Sequence, residues 1–488
     1  MLPVNPGGHA AYQDHVLNNL RKYYPDFSSL PKSSLDTLER FFALNIDNVD
    51  VIMKNRYSVF GPMPRLPSCM LRSYLLSFEF DIHSVTNWAA ALKTNPLYAI
   101  ASGFDFGDTP GVGTFYDFFD RLWLSEDDNF SPNLRKPKPK KPKKPKKKAK
   151  KGEKAESIEK ESVEELLKRL SIEPISTDQP YSLLVDIYKD QFLNASIEKG
   201  LVNPASLSLA GDGMPVYTSA RERKERVCNC LDNGDRKCSC ERIYSQPDCD
   251  IGWDSSRGCF FHGYNLYNIV DSGSANDLPI FPLFHPGSRH DSIAFVNSFF
   301  TMKAFFPELK IDKFLLDSAH DAMPIYEFFF REKITPFIDL NERGAKIVYK
   351  DDFTVSDDGI PYCSAGLRMN KDGSDKDNYR LKFRCPLFSR KYGCKCETPC
   401  SDAKYGRTVH LHTSDNPRIF NIPSRDSEEW KDTYKGRTSA ERCNKRQIKD
   451  FSLESGNHRS SKLWYCRLFG ILMLQHLNAW PLSVNTLL

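Results

Sequence analysis

A mixed α/β protein is predicted, with a helical N-terminal part ahead of a sheet-bearing body, on three observations. Residues 1–130 carry apolar side chains at helical spacing. From residue 163 to the end, short apolar strands alternate with helical stretches. A Lys/Pro-rich run at 131–162 separates the two. At 488 residues the chain is too long for one ordinary core, so more than one domain is expected.

In the N-terminal part, Ser68 is placed to cap a helix carrying Leu71, Leu75 and Phe78, and Ser84 to cap Val85 to Leu92. A third segment follows Asn95-Pro96 and closes at Gly103, and a fourth, Thr114 to Trp123, lines up Phe115, Phe118, Phe119 and Leu122. Short helices joined by small turns fit a helix-turn-helix DNA-binding domain and equally a plain helical bundle. The 131–162 run alternates Pro with Lys pairs, the composition of a disordered linker. Its Lys cluster suits nonspecific phosphate binding, a solvated spacer or, in a eukaryotic host, a nuclear-import signal.

Beyond the linker, Ser206 to Ala210 reads as a strand ending at Gly211-Asp212-Gly213. Cys259 to Val270 and Leu278 to Phe284 follow as strands, then a helix Ser292 to Phe306 with Asp291 as N-cap. Phe314 to Leu316 is a buried strand ending at Asp317, Met323 to Lys333 a helix, and Thr335 to Leu340 another strand. A long helix from Arg425 to Phe451 comes last before a buried C-terminal helix, Leu463 to Trp480.

Charge and hydropathy narrow the class. The net charge of +5 arises from Arg135 to Lys151, which holds 12 basic residues and no acid; without it, 56 basic residues face 63 acidic ones, a net of −7. Nucleic-acid contact by the folded body is therefore local. The mean hydropathy of −0.51 and the polar Arg467, Gln475 and His476 inside the longest apolar stretch argue against a membrane protein. Met1 to Val16 lacks the features of an export signal, so a cytoplasmic, nucleoid-associated protein with reduced thiols is expected.

The thiols are clustered. Cys228, Cys230, Cys238 and Cys240 could close round a tetrahedral zinc ion, with Cys249 and Cys259 as competing ligands, and Cys385, Cys394, Cys396 and Cys400 could form a second site. Reduced thiols without metal are the alternative. Four thiolates leave no open coordination position, so such sites would be structural staples in insertions at 221–257 and 342–424.

Three acids carry the chemistry. Asp212 and Asp317 each follow a short apolar strand, where side chains leave the packed sheet. Glu441 shares one face of the 425–451 helix with Tyr434 and Arg437, at relative positions 0, 3 and 7. Hard divalent cations take oxygen ligands, and two ions about 4 Å apart clamp both the attacking and leaving oxygens of a phosphodiester. An arginine beside them grips phosphate bidentately and a tyrosine positions the backbone. No general-base histidine is needed, since water serves as nucleophile for cleavage and a 3'-hydroxyl for strand transfer. Each acid also has a plain role: Asp212 as a turn residue, Asp317 as a helix cap, Glu441 as an exposed helix acid. His290 and Asp291 read as a helix start.

The spacing Tyr434, two residues, Arg437, three residues, Glu441 resembles the DDE transposases of bacterial insertion sequences, in the branch marked Tyr-Arg-Glu-Lys. Gly-Asp-Gly-Met-Pro-Val at 211–216, Gly-Tyr-Asn-Leu at 263–266, Arg-His-Asp-Ser at 289–292 and Asp-Thr-Pro-Gly-Val-Gly-Thr-Phe at 108–115 also resemble that family, in family order. One element departs: after six intervening residues beyond Glu441, the position that should hold Lys is Ile448, with Lys445 and then Lys449 as substitutes. The resemblance implies a ribonuclease-H-like catalytic domain at 163–488 and two Mg2+ or Mn2+ ions held by Asp212, Asp317 and Glu441. It also implies DNA contacts from Tyr434, Arg437, Lys445 and Lys449, cleavage and strand transfer at inverted repeats of double-stranded DNA, and a homodimer pairing two ends. An inactive DNA-binding descendant and a nuclease that cuts without rejoining stand as the alternatives.

Overall fold

The computed structural model describes residues 2, 7–26, 30–125, 137–138, 161–219, 224–226, 228–238, 240, 242–244, 246, 248–341, 347–350, 353–356, 359–389, 391, 393–397, 400–403, 406–456 and 458–481. The Lys/Pro-rich linker lies outside these residues except at its edges and at Pro137–Lys138, which pairs antiparallel with Ile243 and Arg242.

Seven helices come first: α1 (Gly8–Tyr23), α2 (Lys32–Ala43), α3 (Asn48–Ile52), α4 (Pro67–Glu79), α5 (Val85–Thr94), α6 (Pro96–Ser102) and α7 (Val112–Leu122). Their apolar stripes decide what they bury: α1 turns Tyr12, Val16 and Leu20 inward at four-residue spacing, and α7 turns in Phe115, Phe118, Phe119 and Leu122. Ser84 accepts a hydrogen bond from the Asn87 amide and caps α5 as expected, and Gly103 at φ 87° ends α6 in a left-handed turn. Ser68 does not cap α4. Leu66 holds the cap position, Pro67 starts the helix, and the Ser68 amide and hydroxyl both donate to the Asp50 carboxylate, at 2.7 and 2.8 Å.

Helices α8 (Val163–Ile172), α9 (Ser182–Tyr188) and α10 (Asn194–Glu198) lead into a six-stranded mixed sheet. Its strands are β1 (Leu207–Tyr217), β2 (Asp250–Asp254), β3 (Cys259–Asp271), β4 (Leu278–Pro286), β5 (Ile311–Leu316) and β6 (Thr335–Ile338). β1 is central, antiparallel to β3 and parallel to β5, and β6 continues parallel beyond β5. The far edge of β3 is shared by β2 and β4, both antiparallel to it. Each parallel connection needs a crossover, supplied by α11 (Asp291–Phe305) between β4 and β5 and α12 (Met323–Glu332) between β5 and β6. The cap of α11 is His290, whose ring accepts from the Ser292 amide, so Asp291 is the first helical residue and not the cap.

The largest departure from the sequence pattern concerns β1. It does not end before Gly211-Asp212-Gly213 but runs through it to Tyr217, because the antiparallel pairing with β3 continues from Leu209↔Asp271 to Tyr217↔Gly263. The parallel pairing with β5 is the part that stops, at Ala210↔Leu315. The two glycines serve close approach and not a turn: a Cβ on Gly211 would lie 2.6 Å from the Tyr267 hydroxyl, and one on Gly213 would collide with the Asp291 carboxylate.

Residues 347–412 add small antiparallel sheets, Ile347–Lys350 with Phe353–Val355 and Pro361–Tyr362, and Asn370–Asp375 with Arg380–Arg384 and Thr408–His412. They enclose a separate small core that includes Val355, Leu381, Phe383, Leu411 and Phe420. Arg418 fastens this insertion to the main body through a bidentate pair with Asp321 at 2.8 and 2.6 Å.

The expected helix from Arg425 to Phe451 is broken. It forms α13 (Glu428–Tyr434), a 3-10 turn at Lys435–Arg437, α14 (Thr438–Lys445) and a π turn at Arg446–Asp450. The break falls at Gly436, a poor helix former, where the chain passes so close to the sheet that a Cβ would touch Leu315 at 3.2 Å. Trp430, Ala440 and Cys443 then cover Ala210, Val270, Leu315 and Phe337, laying α13 and α14 across the sheet. The final helix, α15 (Ser461–Ala479), is buried along nearly its whole length. One continuous core, running from Tyr12 to Leu477, joins the N-terminal helices to the sheet. No described helix is long and apolar enough to cross a membrane.

Candidate functional site

Adjacent parallel strands bring two of the acids level. Ala210 pairs with Leu315, so Asp212 and Asp317, each two residues further on, stand at the same height on β1 and just beyond β5. Strand neighbours are about 5 Å apart. Glu441 lies on α14, directly over that part of the sheet, three residues before Asn444, whose amide donates to Asp212 Oδ2 at 2.9 Å.

Electrostatics ties the group together. Burial, then the charges of Asp291 and Asp317 and, more weakly, Glu441, push the Asp212 carboxyl up to about 7, against a small opposing effect of His320. Asp317 goes the other way. Burial alone would raise it, but the His320 hydrogen bond and charge and the Ala319 amide hold it below the usual carboxylate value. His320 Nδ1 is 2.6 Å from Asp317 Oδ1, and its Nε2 is 2.9 Å from the Tyr267 hydroxyl, so a buried imidazole orients this acid. Asp317 also caps the short 3-10 turn Ser318–His320, as its plain reading allowed, whereas Asp321 is taken by Arg418.

The Tyr434, Arg437, Glu441 face survives the break in the helix. Tyr434 stacks on Trp430 with ring centroids 4.6 Å apart, the Arg437 guanidinium lies 6.0 Å above the Tyr434 ring, and Arg437 Nη2 meets Glu441 Oε1 at 2.8 Å. Arg437 also feels the charges of Asp212 and Asp317. Glu441 is thus held by Arg437, and the three carboxylates do not gather to within 4.8 Å of one another. Lys445 and Lys449 are exposed, while Ile448, at the position where the signature has Lys, packs inward against the main core.

Asp291 is a site residue that the sequence pattern hid, since an acid opening a helix has an ordinary explanation. It lies against Gly213, accepts from Asn265 Nδ2 at 2.7 Å, and exerts the largest charge effect on Asp212. The available signal was the glycine on either side of Asp212, which marks a strand approached closely on its other face. His320, Tyr267, Asn268 and Asn444 were legible only from the fold.

The cysteines divide. Among the described residues, the only group of three or more His, Cys, Asp or Glu side chains whose ligand atoms all lie within 4.8 Å of one another is Cys228, Cys230, Cys238 and Cys240. Cys228 and Cys238 sulfurs are 3.6 Å apart, and Cys230 and Cys240 sulfurs 3.5 Å. These are spacings for thiolates round one tetrahedral ion with metal–sulfur bonds near 2.3 Å, far beyond a disulfide bond. The cluster could hold a metal such as zinc. A hydrogen bond from the Cys230 amide is the main cause holding the Cys228 thiol down, at about 6. Cys249 and Cys259 stand outside the group. Of the second predicted set, Cys385, Cys396 and Cys400 do not converge in this way, and the Cys394 side chain lies outside the described residues.

Fold and site together define a mixed α/β protein with an acidic cluster on the face of its central sheet and a four-cysteine cluster on a separate hairpin. No protein-family model matches the chain, and no curated protein matches it.

Proposed function

We propose that this chain is a DNA transposase of the DDE type, with a ribonuclease-H-like catalytic domain built on the central sheet. One observation carries the reading: Asp212 and Asp317 stand level at neighbouring central strands beneath the broken helical segment α13–α14, along which Tyr434, Arg437 and Glu441 keep a common face. Four acids, counting Asp291, load this spot with negative charge, offset in part by Arg437, which interacts with Glu441 and Asp212. All-oxygen donors at that charge suit Mg2+ or Mn2+, and ionising Asp212 without a cation is unfavourable.

Two such ions would supply Lewis-acid stabilisation of the attacking and leaving oxygens of a phosphodiester. Asp212, Asp317 and Glu441 would hold them. Arg437 would pass from Glu441 to a DNA phosphate as Glu441 turns to the cations, and Tyr434, braced by Trp430, would set the height of the backbone. Lys445 and Lys449 face solvent and suit flanking phosphates of double-stranded DNA. Pairing two transposon ends would take a homodimer, and the Cys228, Cys230, Cys238 and Cys240 cluster would hold structural zinc.

The test is a cleavage and strand-transfer assay on duplexes that carry the DNA from either side of the reading frame, where the proposal expects inverted repeats. Asp212→Ala, Asp317→Ala and Glu441→Ala are each expected to lose cleavage by at least about 100-fold while still shifting the duplex in a gel. Retained Mg2+-dependent cleavage in any of them sinks the assignment. A second reading, a DNA-binding protein without cleavage, is favoured by the open spacing of the carboxylates and the inward-facing Ile448. It predicts duplex binding with no cut product from the wild type.

A further inference from the structure

Beneath Asp212 runs a chain of buried amides whose polarity the ionised carboxylate fixes. A carboxylate oxygen can only accept when ionised, so Asn444 presents its Nδ2 to Asp212 Oδ2, at 2.9 Å, and must turn its own oxygen away. That oxygen accepts from Asn268 Nδ2 at 2.7 Å. Asn268 is the cross-strand partner of Asp212 on β3, and the same Nδ2 donates to Gln447 Oε1 at 2.9 Å. Gln447 in turn donates to Gln475 Oε1, on α15, at 3.1 Å. Asn268, Gln447 and Gln475 are fully buried, and Asn444 nearly so.

This arrangement does more than fill space. Asn268 Oδ1 has no hydrogen-bond partner although it is buried, because both of its N–H bonds are committed to fixing Asn444 and Gln447. A core selected for packing alone would put apolar side chains here. Asn444 is also one turn beyond Glu441 on α14, so its bond to Asp212 sets the helix register that places Glu441 over the sheet.

We infer that Asn444, locked by Asn268 and Gln447, is a positioning residue for Asp212, occupying one carboxylate oxygen so that the other is presented to a divalent cation in a single orientation. The inference rests on the carboxylate reading above. His320 treats Asp317 in the same manner, taking Oδ1. In both acids one oxygen is engaged by a buried nitrogen-bearing side chain of the protein.

The experiment is a titration of the full-length chain with Mn2+ alone, followed by the electron paramagnetic resonance of the unbound ion, with melting midpoints recorded in parallel. The relevant component is the one that Asp212→Ala removes. Asn444→Ala is expected to weaken that component about 10- to 100-fold, and the near-isosteric, apolar Asn444→Leu at least as much, without a matching loss of melting midpoint. Should both variants fail to fold, Asn268→Ala carries the test: it leaves the Asn444–Asp212 bond possible but removes the donor that orients Asn444, and a loss of about 10-fold is expected. A folded variant of Asn444 that titrates like the wild type overturns the inference and leaves the carboxylate reading standing. A wild type with no Mn2+ component sensitive to Asp212→Ala removes both.

Discussion

Asp212 is a liability to the fold in the absence of a cation. Its carboxyl titrates near 7 in the folded chain, against an ordinary value of 3.8. A carboxylate whose value is raised by folding favours the folded state while it is protonated. The penalty for ionising it therefore builds as pH rises from about 4 to about 7 and stays constant above that. Asp212→Asn is accordingly expected to stabilise the protein at pH 8 by about 2 kcal/mol, roughly half of what the shift would give if unrelaxed. At pH 4 the variant and wild type should melt together. Thermal unfolding without added divalent cation, at both pH values, checks this. Equal midpoints at pH 8 would show that neither burial nor the surrounding acids raise the Asp212 carboxyl. The three acids themselves could be picked out in the chain, because residue type and strand or helix position are local properties. Asp291 and Asn444 could not, since an acid at a helix start and an amide within a helix are common.

At the scale of elements, period and capping predicted the main strands of the central sheet and the helices α4 to α7, α11, α12 and α15, while α1 to α3, α8 to α10 and the small strands went unpredicted. Ser84, Gly103 and the apolar stripes of α1 and α7 act as local rules require. Where prediction failed, a neighbour intervened: Asp50 drew Ser68 away from capping, β3 carried β1 through two glycines, and the close passage of Gly436 over Leu315 broke the long helix. The cysteine hairpin is the element that could hold a metal. One zinc per chain is expected by plasma emission spectroscopy, and Cys230→Ser is expected to lower that content several-fold. Because the cluster stands outside the main core, the melting midpoint of the body should stay within about 3 °C of the wild type. Wild-type protein purified without stoichiometric metal would leave four reduced thiols.

The whole molecule is organised round α15. Tyr465 stacks on Tyr181 and meets Trp123 and Phe284, so one helix touches the N-terminal bundle, the segment before the sheet and β4. Arg467 lies buried in its middle, donating to the carbonyls of Leu453, Ser452 and Phe451 beneath the Phe78 ring. Arg467→Ala would strip donors from three carbonyls at once and is expected to destabilise the protein by about 3 kcal/mol or more. Since the N-terminal helices and the sheet share that core, circular dichroism and tryptophan fluorescence should report one common, lowered transition. Separate transitions for helices and sheet would mean that α15 does not couple them.

The sequence by itself determined that strands and helices both form and in what order the main ones come, and it singled out Asp212, Asp317 and Glu441 as the acids proposed to carry the chemistry and the first four cysteines as a group that could hold a metal. Those follow from side-chain period, turn chemistry and spacing, which act over a few residues. Only the tertiary structure decided that β1 passes through Asp212, that Asp291 crowds it from the other face, and that Asn268, Asn444 and Gln447 meet beneath it. Such neighbours are set by strand register and by which helix face lands on which strand. Both are fixed by burial of the molecule as a whole, so no local stretch of the chain records them.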